Sequence, residues 1–224
     1  MSLIEEERTF HVGIDVGMVS DPTTVAAIER IRMVPTQRAI ARGLSRQARE
    51  AIAEHPERLN LRHLDRLPLG TLYPRQVEIL AGLMAHESLR GAPVYIDATG
   101  VGKPVLQMLK RAGVRNLHGI SITSAQSEAK RVPDGWNVGK AELVNGVQVA
   151  MQTRRLRLGK RVNYVDLLVK ELRDFRARQN ANTGNMTFNA REGQHDDLVL
   201  AVSYAVFGAS RPTPVTDIDM RIVA

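Results

Sequence analysis

The sequence predicts an α/β fold built on a mixed β-sheet with helices on both faces. Three observations predict it: strand patterns joined by hairpin turns open the chain, strand and helix periods then alternate, and an apolar helix closes it. In residues 9–17, Phe10, Val12, Ile14 and Val16 alternate with Thr9, His11, Gly13 and Asp15, the period of two that a pleated backbone imposes. Asp15 therefore lies on the face opposite the apolar set. Asp21-Pro22-Thr23-Thr24 is turn chemistry, and the β-branched run 24–31 reads as the returning strand of a hairpin. Residues 37–54 carry helical spacing (Ile40, Leu44, Ala48, Ile52), predicting one surface helix inside a helical insertion over 32–58. A third strand is predicted over 59–67, closed by Pro68. Pro74 in a first turn followed by Val77, Leu80, Ala81 and Met84 predicts a helix crossing back over the sheet.

Residues 93–97 form a short apolar run ending in Asp97, followed by a tight loop and a helix over 104–112. A fifth strand is expected over 117–122, helices over 139–152 and 162–178, and a short strand over 185–189. The last helix starts near His195, with Leu198, Val199, Val202 and Val206 as its apolar stripe. Residues 126–139 read as the one linker. The expected organisation is a single domain over 1–210 with a tail at 211–224.

Composition bounds the chemistry. The chain has 224 residues, 43% of them hydrophobic and 25% charged, enough to bury a core and unlike a disordered tail. No run approaches the roughly 20 apolar residues of a bilayer span, and the acidic start does not resemble a signal peptide. With no cysteine, thiolate metal sites and cysteine nucleophiles are excluded, so any metal must be held by oxygen or imidazole. The net charge is +7. Between positions 103 and 178, sixteen Lys and Arg face six acids, so that stretch carries +10 and the remainder −3. A basic stretch beside an acidic remainder points to a phosphate-bearing partner, although a solvated surface would look the same.

Three places far apart in sequence put an aspartate at the edge of a core element: Asp15, Asp97, and the pair Asp196 and Asp197. Carboxylates in apolar strands must be paired, hydrogen-bonded or bound to a metal, because an unpartnered buried anion costs several kcal/mol. Neither Asp15 nor Asp97 has a Lys or Arg beside it in its own strand. If the first and fourth strands are neighbours, the carboxylates converge, and hard oxygen donors select Mg²⁺ or Mn²⁺. Two such ions about 3.5 to 4 Å apart suit phosphodiester hydrolysis. Each residue has a plainer reading as well: Asp97 as a turn cap, and Asp196 or Asp197 as an N-cap.

Thr99-Gly100-Val101-Gly102-Lys103-Pro104 is not a nucleotide-binding P-loop, because Asp97 stands where its first glycine belongs and Pro104 where its hydroxyl belongs. His195 could ligate a metal, move a proton or orient a carboxylate, or simply cap a helix. Lone Trp136 is expected in the core, with a DNA-touching loop as the alternative. Arg154, Arg155, Arg157, Lys160 and Arg161, with Lys103 and Lys140, are the candidate phosphate contacts.

The segments VGIDVGMVSDPTT (12–24), VYIDATGVGKPV (94–105) and GQHDDLVLA (193–201) resemble the three metal-site segments of the nuclease domain of tailed-phage large terminase subunits, in the ribonuclease H-like superfamily. The resemblance covers about residues 10–207. It implies a ribonuclease H-like sheet and a two-metal endonuclease that cuts concatemeric double-stranded DNA during packaging in the cytoplasm of a bacterial host. By position, Asp15 would bridge two ions, Asp97 would hold one, and Asp196 or Asp197 would complete the site. Implied partners are a terminase ATPase domain, the small terminase subunit and the portal, with no membrane. The segment 32–58 departs from the family pattern. Rival readings are a Holliday-junction resolvase of the same superfamily, an actin-like kinase, which needs a longer duplicated chain, and a non-catalytic DNA-binding module.

Overall fold

A computed structural model describes residues 3–19, 21–123, 128–174, 176–179, 186–189 and 196–211. The elements are β1 (Ile4–Asp15), β2 (Thr24–Pro35), α1 (Gln37–Ala41), α2 (Arg46–Ala53), β3 (Arg58–Arg66), α3 (Tyr73–Met84), β4 (Val94–Asp97), α4 (Gly102–Arg111), β5 (Leu117–Thr123), β6 (Lys130–Val132), β7 (Gly135–Gly139), α5 (Lys140–Gln152), β8 (Leu156–Leu158), α6 (Val165–Asp174), β9 (Arg176–Gln179), β10 (Met186–Asn189) and α7 (Asp197–Ala209). Eight strands form one sheet in the order β6-β7-β5-β4-β1-β2-β3-β8, and β9 pairs with β10 separately. The sheet is mixed: β2 runs antiparallel to both β1 and β3, while β4 joins β1, and β8 joins β3, in parallel.

Alternation along the strands sorts the core into two layers. Val12, Ile14, Val25, Ala27 and Ile96 face α3 and α4. Ala26, Ile28, Leu59, Leu61 and Leu64 face the opposite way, toward α5, α6 and α7. Helices thus cover both faces, as the sequence predicts.

Helix α7 lies against the sheet with all thirteen residues buried, including Ser203 and Tyr204. The single stripe expected from sequence is too narrow a description, because α5 and α6 cover the side that would otherwise face water. Two glycines permit the close approach. A Cβ on Gly13 would overlap the Ala201 carbonyl, and one on Gly208 would overlap the Tyr95 ring. Gly13→Ala should therefore destabilise the fold by about 3 kcal/mol, since a backbone carbonyl cannot swing aside as a flexible side chain can. A urea melt indistinguishable from the parent would contradict this packing.

Several expectations are corrected. Residues 37–54 form two short helices, α1 and α2, because the chain turns at Gly43 with φ +77°. The expected insertion over 32–58 begins inside β2. The helix expected over 162–178 ends at Asp174, and 176–179 is strand. The described part of the expected linker is the hairpin β6-β7, in which Trp136 packs edge-on to Phe207 at 5.6 Å beneath the guanidinium groups of Arg131 and Arg211. Trp136 is thus only partly buried, packed against a core cluster and not within it as expected. The tail beyond Arg211 lies outside the described residues. Among the described residues, no helix is long and apolar enough to cross a membrane.

Candidate metal centre

Strand register assembles the site. Asp15 pairs with Thr24, and Thr24 with Arg66. On the other side, the parallel pairing of Ile14 with Ile96 puts Asp15 and Asp97 next to each other at the ends of β1 and β4, with neighbouring strands about 4.8 Å apart. One row across four strands thus presents Arg66, Thr24, Asp15 and Asp97 beneath the start of α7. Asp97 in turn abuts the start of α4, where the Gly102 backbone lies against its carbonyl.

The acidic pair divides between two environments. Asp196 occupies the N-cap position of α7 without a side-chain capping bond; its carboxylate instead meets the Lys140 ammonium at 2.7 Å. Asp197 points toward β2 and β3, accepting from the Thr24 hydroxyl at 2.5 Å and from Arg66 Nη2 at 2.9 Å, with only 3% of its side chain exposed. Arg66 Nη2 also donates to Glu171 of α6 at 2.6 Å. A single guanidinium therefore serves two buried carboxylates.

Burial drives the Asp15 carboxyl well above the usual carboxylate range, and the negative charges of Asp97, Asp196 and Asp197 push it further, against a weaker opposing pull from Lys140. Among the described residues it has a long side-chain hydrogen bond, from the Tyr204 hydroxyl at 3.5 Å. Burial also raises Asp97, although the Thr99 backbone N–H donates to its Oδ1 at 2.8 Å. Asp15 is thus a part-buried carboxyl with too little countercharge to ionise readily. Its oxygen donors, beside those of Asp97, suit a hard divalent cation. In this conformation no three carboxylates or imidazoles among the described residues are grouped to hold one ion, since Lys140 and Arg66 engage the helix pair.

Glu171 behaves as one cation shared by two acids requires. Burial and the Asp197 charge raise its carboxyl to about 7, from 4.5, despite Arg66. Because the folded-state value is raised, the protonated form favours folding. Its stabilising effect is complete below pH about 4.5 and is lost as pH rises through about 7, a swing of roughly 3 kcal/mol. Glu171→Gln should flatten the fall in stability between pH 5 and pH 8 in chemical denaturation. Parallel pH profiles for the two chains would refute the shared-cation arrangement.

The other candidate residues divide by position. Lys103 is exposed in the first turn of α4, and Lys140 sits within the cluster. Arg154 and Arg155 stand at the opposite end of the sheet, where the Arg155 carbonyl accepts from Leu59 N–H and its side chain meets Glu57 at 3.3 Å. His195 lies outside the described residues. Arg66, Thr24, Glu171 and Tyr204 were not singled out from the sequence, since their partners are 131, 173, 105 and 189 residues away. The available signals were an Arg closing a strand pattern and a Tyr in a mostly aliphatic helix.

Comparison with known proteins agrees with this architecture. A family model described as the terminase RNaseH-like domain matches residues 81–208. No curated protein matches. Among solved structures, the large terminase nuclease from thermophilic phage G20c superposes with a TM-score of 0.56 at 19% identity, covering 89% of this chain and 81% of that one. The g2p large terminase nuclease domain from bacteriophage SPP1, solved with bound Mn, gives 0.47 at 12% identity, covering 88% and 84%. At these identities the G20c likeness is one of fold. The family match spans more than half of the chain and includes β4, α5 and α7, and on it the chain belongs to the terminase RNaseH-like domain family.

Proposed function

We propose that this chain is a divalent-metal-dependent DNA endonuclease that cuts concatemeric phage DNA during packaging. The observation that carries the reading is Asp15, a part-buried carboxylate beside Asp97 at the ends of two parallel strands, with Asp196 close enough to raise its proton affinity. Family membership supports DNA as the substrate.

Asp15 and Asp97 would hold Mg²⁺ or Mn²⁺, with Asp196 joining as a third carboxylate on leaving Lys140. Two bound ions would supply Lewis-acid activation of water and neutralise charge at the scissile phosphate. Tyr204 orients Asp15 through its hydroxyl, and Thr99 orients Asp97 through its amide. Once parted from Asp196, the Lys140 ammonium is placed to meet a phosphate oxygen. Asp197, with its own two partners, anchors the start of α7 rather than a metal. In the packaging setting, the ATPase domain, small subunit and portal are the partners this reading implies.

A second reading, a DNA-binding module with purely structural carboxylates, is favoured by the Asp196–Lys140 pair and the Asp97 turn bond. Incubating supercoiled plasmid with the chain in Mg²⁺, Mn²⁺ or EDTA separates the two. The nuclease reading expects nicking and linearisation only with a divalent ion; an intact plasmid in every condition contradicts it. Thermal melting gives an independent check. Mn²⁺ at 100 times its Kd should add about 2.7 kcal/mol of stability, whereas a module without a site should respond only to ionic strength.

A further inference from the structure

The phosphate-binding surface can be located more closely, on the reading that the chain acts on DNA. Between Leu143 and Val165 the sequence holds five cations, Arg154, Arg155, Arg157, Lys160 and Arg161, and no acid. The fold lays this run along one border of the molecule. Strand β8 is the terminal strand of the sheet, its inner edge pairing Leu156 with Leu59 and Leu158 with Leu61, while no described strand pairs with its outer edge. Leu156 and Leu158 turn into the core, leaving Arg157 exposed between them. Lys160 and Arg161 follow in an exposed turn.

The distal end of this border opens into a cavity of about 300 Å³, lined by five arginines against Glu6, Glu54 and Glu57. Glu57 is shared by Arg30 and Arg155, and Glu6 by Arg8 and Arg58. Arg154 and Arg157 have no carboxylate partner among the described residues. Arg154 is also held at φ +57°, a conformation a non-glycine residue adopts only at some cost.

We propose that the β8 border, through Arg154, Arg157, Lys160 and Arg161, is a backbone-binding track for double-stranded DNA. Register gives its reach. Leu59, beside the start of the track, lies seven residues along β3 from Arg66, which shares the row of Asp15, a distance of about 23 Å. At 3.4 Å per phosphate step, a duplex on the track meets the carboxylates about seven base pairs from its distal contact. Arg155, committed to Glu57, is not part of the track. A charged edge strand also deters pairing with other chains, and a border serving only that purpose would not alter DNA affinity.

The test is fluorescence anisotropy of labelled duplexes in EDTA, so that cleavage plays no part. It compares wild type, Arg154→Ala/Arg157→Ala/Lys160→Ala/Arg161→Ala, and a control losing the same charge elsewhere, Arg49→Ala/Arg90→Ala/Arg111→Ala/Arg115→Ala. The track predicts that its quadruple variant lowers the slope of log K against log salt by about three to four units on a 24-base-pair duplex, while the control changes it little. Wild-type affinity should also rise more than tenfold between 6 and 14 base pairs, a gain the track variant lacks. Equal losses in both variants, or no loss in the track variant, would overturn the proposal. Failure of the nuclease reading looks different: wild type would bind along the track yet leave plasmid intact in Mn²⁺. Conversely, metal-dependent cutting with an unchanged salt slope in the track variant removes the track alone.

Discussion

Asp15→Asn is expected to reduce metal-dependent cleavage by about a thousandfold or more, because on the proposed reading it would remove a metal ligand and with it several kcal/mol of transition-state stabilisation. Duplex affinity in EDTA should hardly change, since on the proposed reading the residue would hold metal and would not contact phosphate. Stability supplies a second expected result with the opposite sign. In the folded chain the Asp15 carboxyl is raised by burial and by three neighbouring carboxylates. It therefore stabilises the metal-free fold only when protonated, and that contribution is lost as pH rises above the ordinary carboxylate range. The isosteric amide carries no charge, so metal-free Asp15→Asn should be more stable than wild type at pH 8 in urea denaturation. Undiminished cutting, or a variant less stable than wild type without metal, would be inconsistent with a ligand held in surplus negative charge.

The second large effect concerns Arg66. Its guanidinium meets Asp197 and Glu171, whose side chains are 3% and 8% exposed. Arg66→Met would leave both carboxylates buried without a cation, at a cost of about 3 to 5 kcal/mol in urea denaturation at pH 8. The loss should shrink toward pH 5, where Glu171 is protonated in either chain. Adding Asp197→Asn and Glu171→Gln to Arg66→Met should recover much of the stability, because the triple variant buries no charge. A small cost for Arg66→Met alone, or one independent of pH, would show that the cluster does not anchor the start of α7.

Fold class was legible because periodicity is local. The alternation around Val12 and Ile14 and the run 93–97 report strands whatever they pair with, and both lie in the sheet with β1 beside β4. Boundaries failed where short-range chemistry was ambiguous. Leu156–Leu158 is a three-residue strand inside a basic run, which reads as surface, and Gly43 interrupts a pattern that looked like one helix. Candidate site residues were visible as carboxylates out of place among apolar neighbours. Their partners were not, because Arg66 reaches Glu171 and Asp197 only through strand register and the crossing of α6 and α7. The difference between Asp196 and Asp197 has the same origin. Adjacent in sequence, they sit on either side of the helix start, Asp196 at the non-helical N-cap facing Lys140 and Asp197 in the first turn facing Arg66.

The most direct measurement is anomalous diffraction from a crystal soaked in Mn²⁺. Anomalous density is expected between the carboxylates of Asp15, Asp97 and Asp196, with Lys140 drawn away from Asp196 and Asp197 still on Arg66. Well-ordered carboxylates without anomalous density among them, and Lys140 still on Asp196 at saturating Mn²⁺, would contradict this expectation.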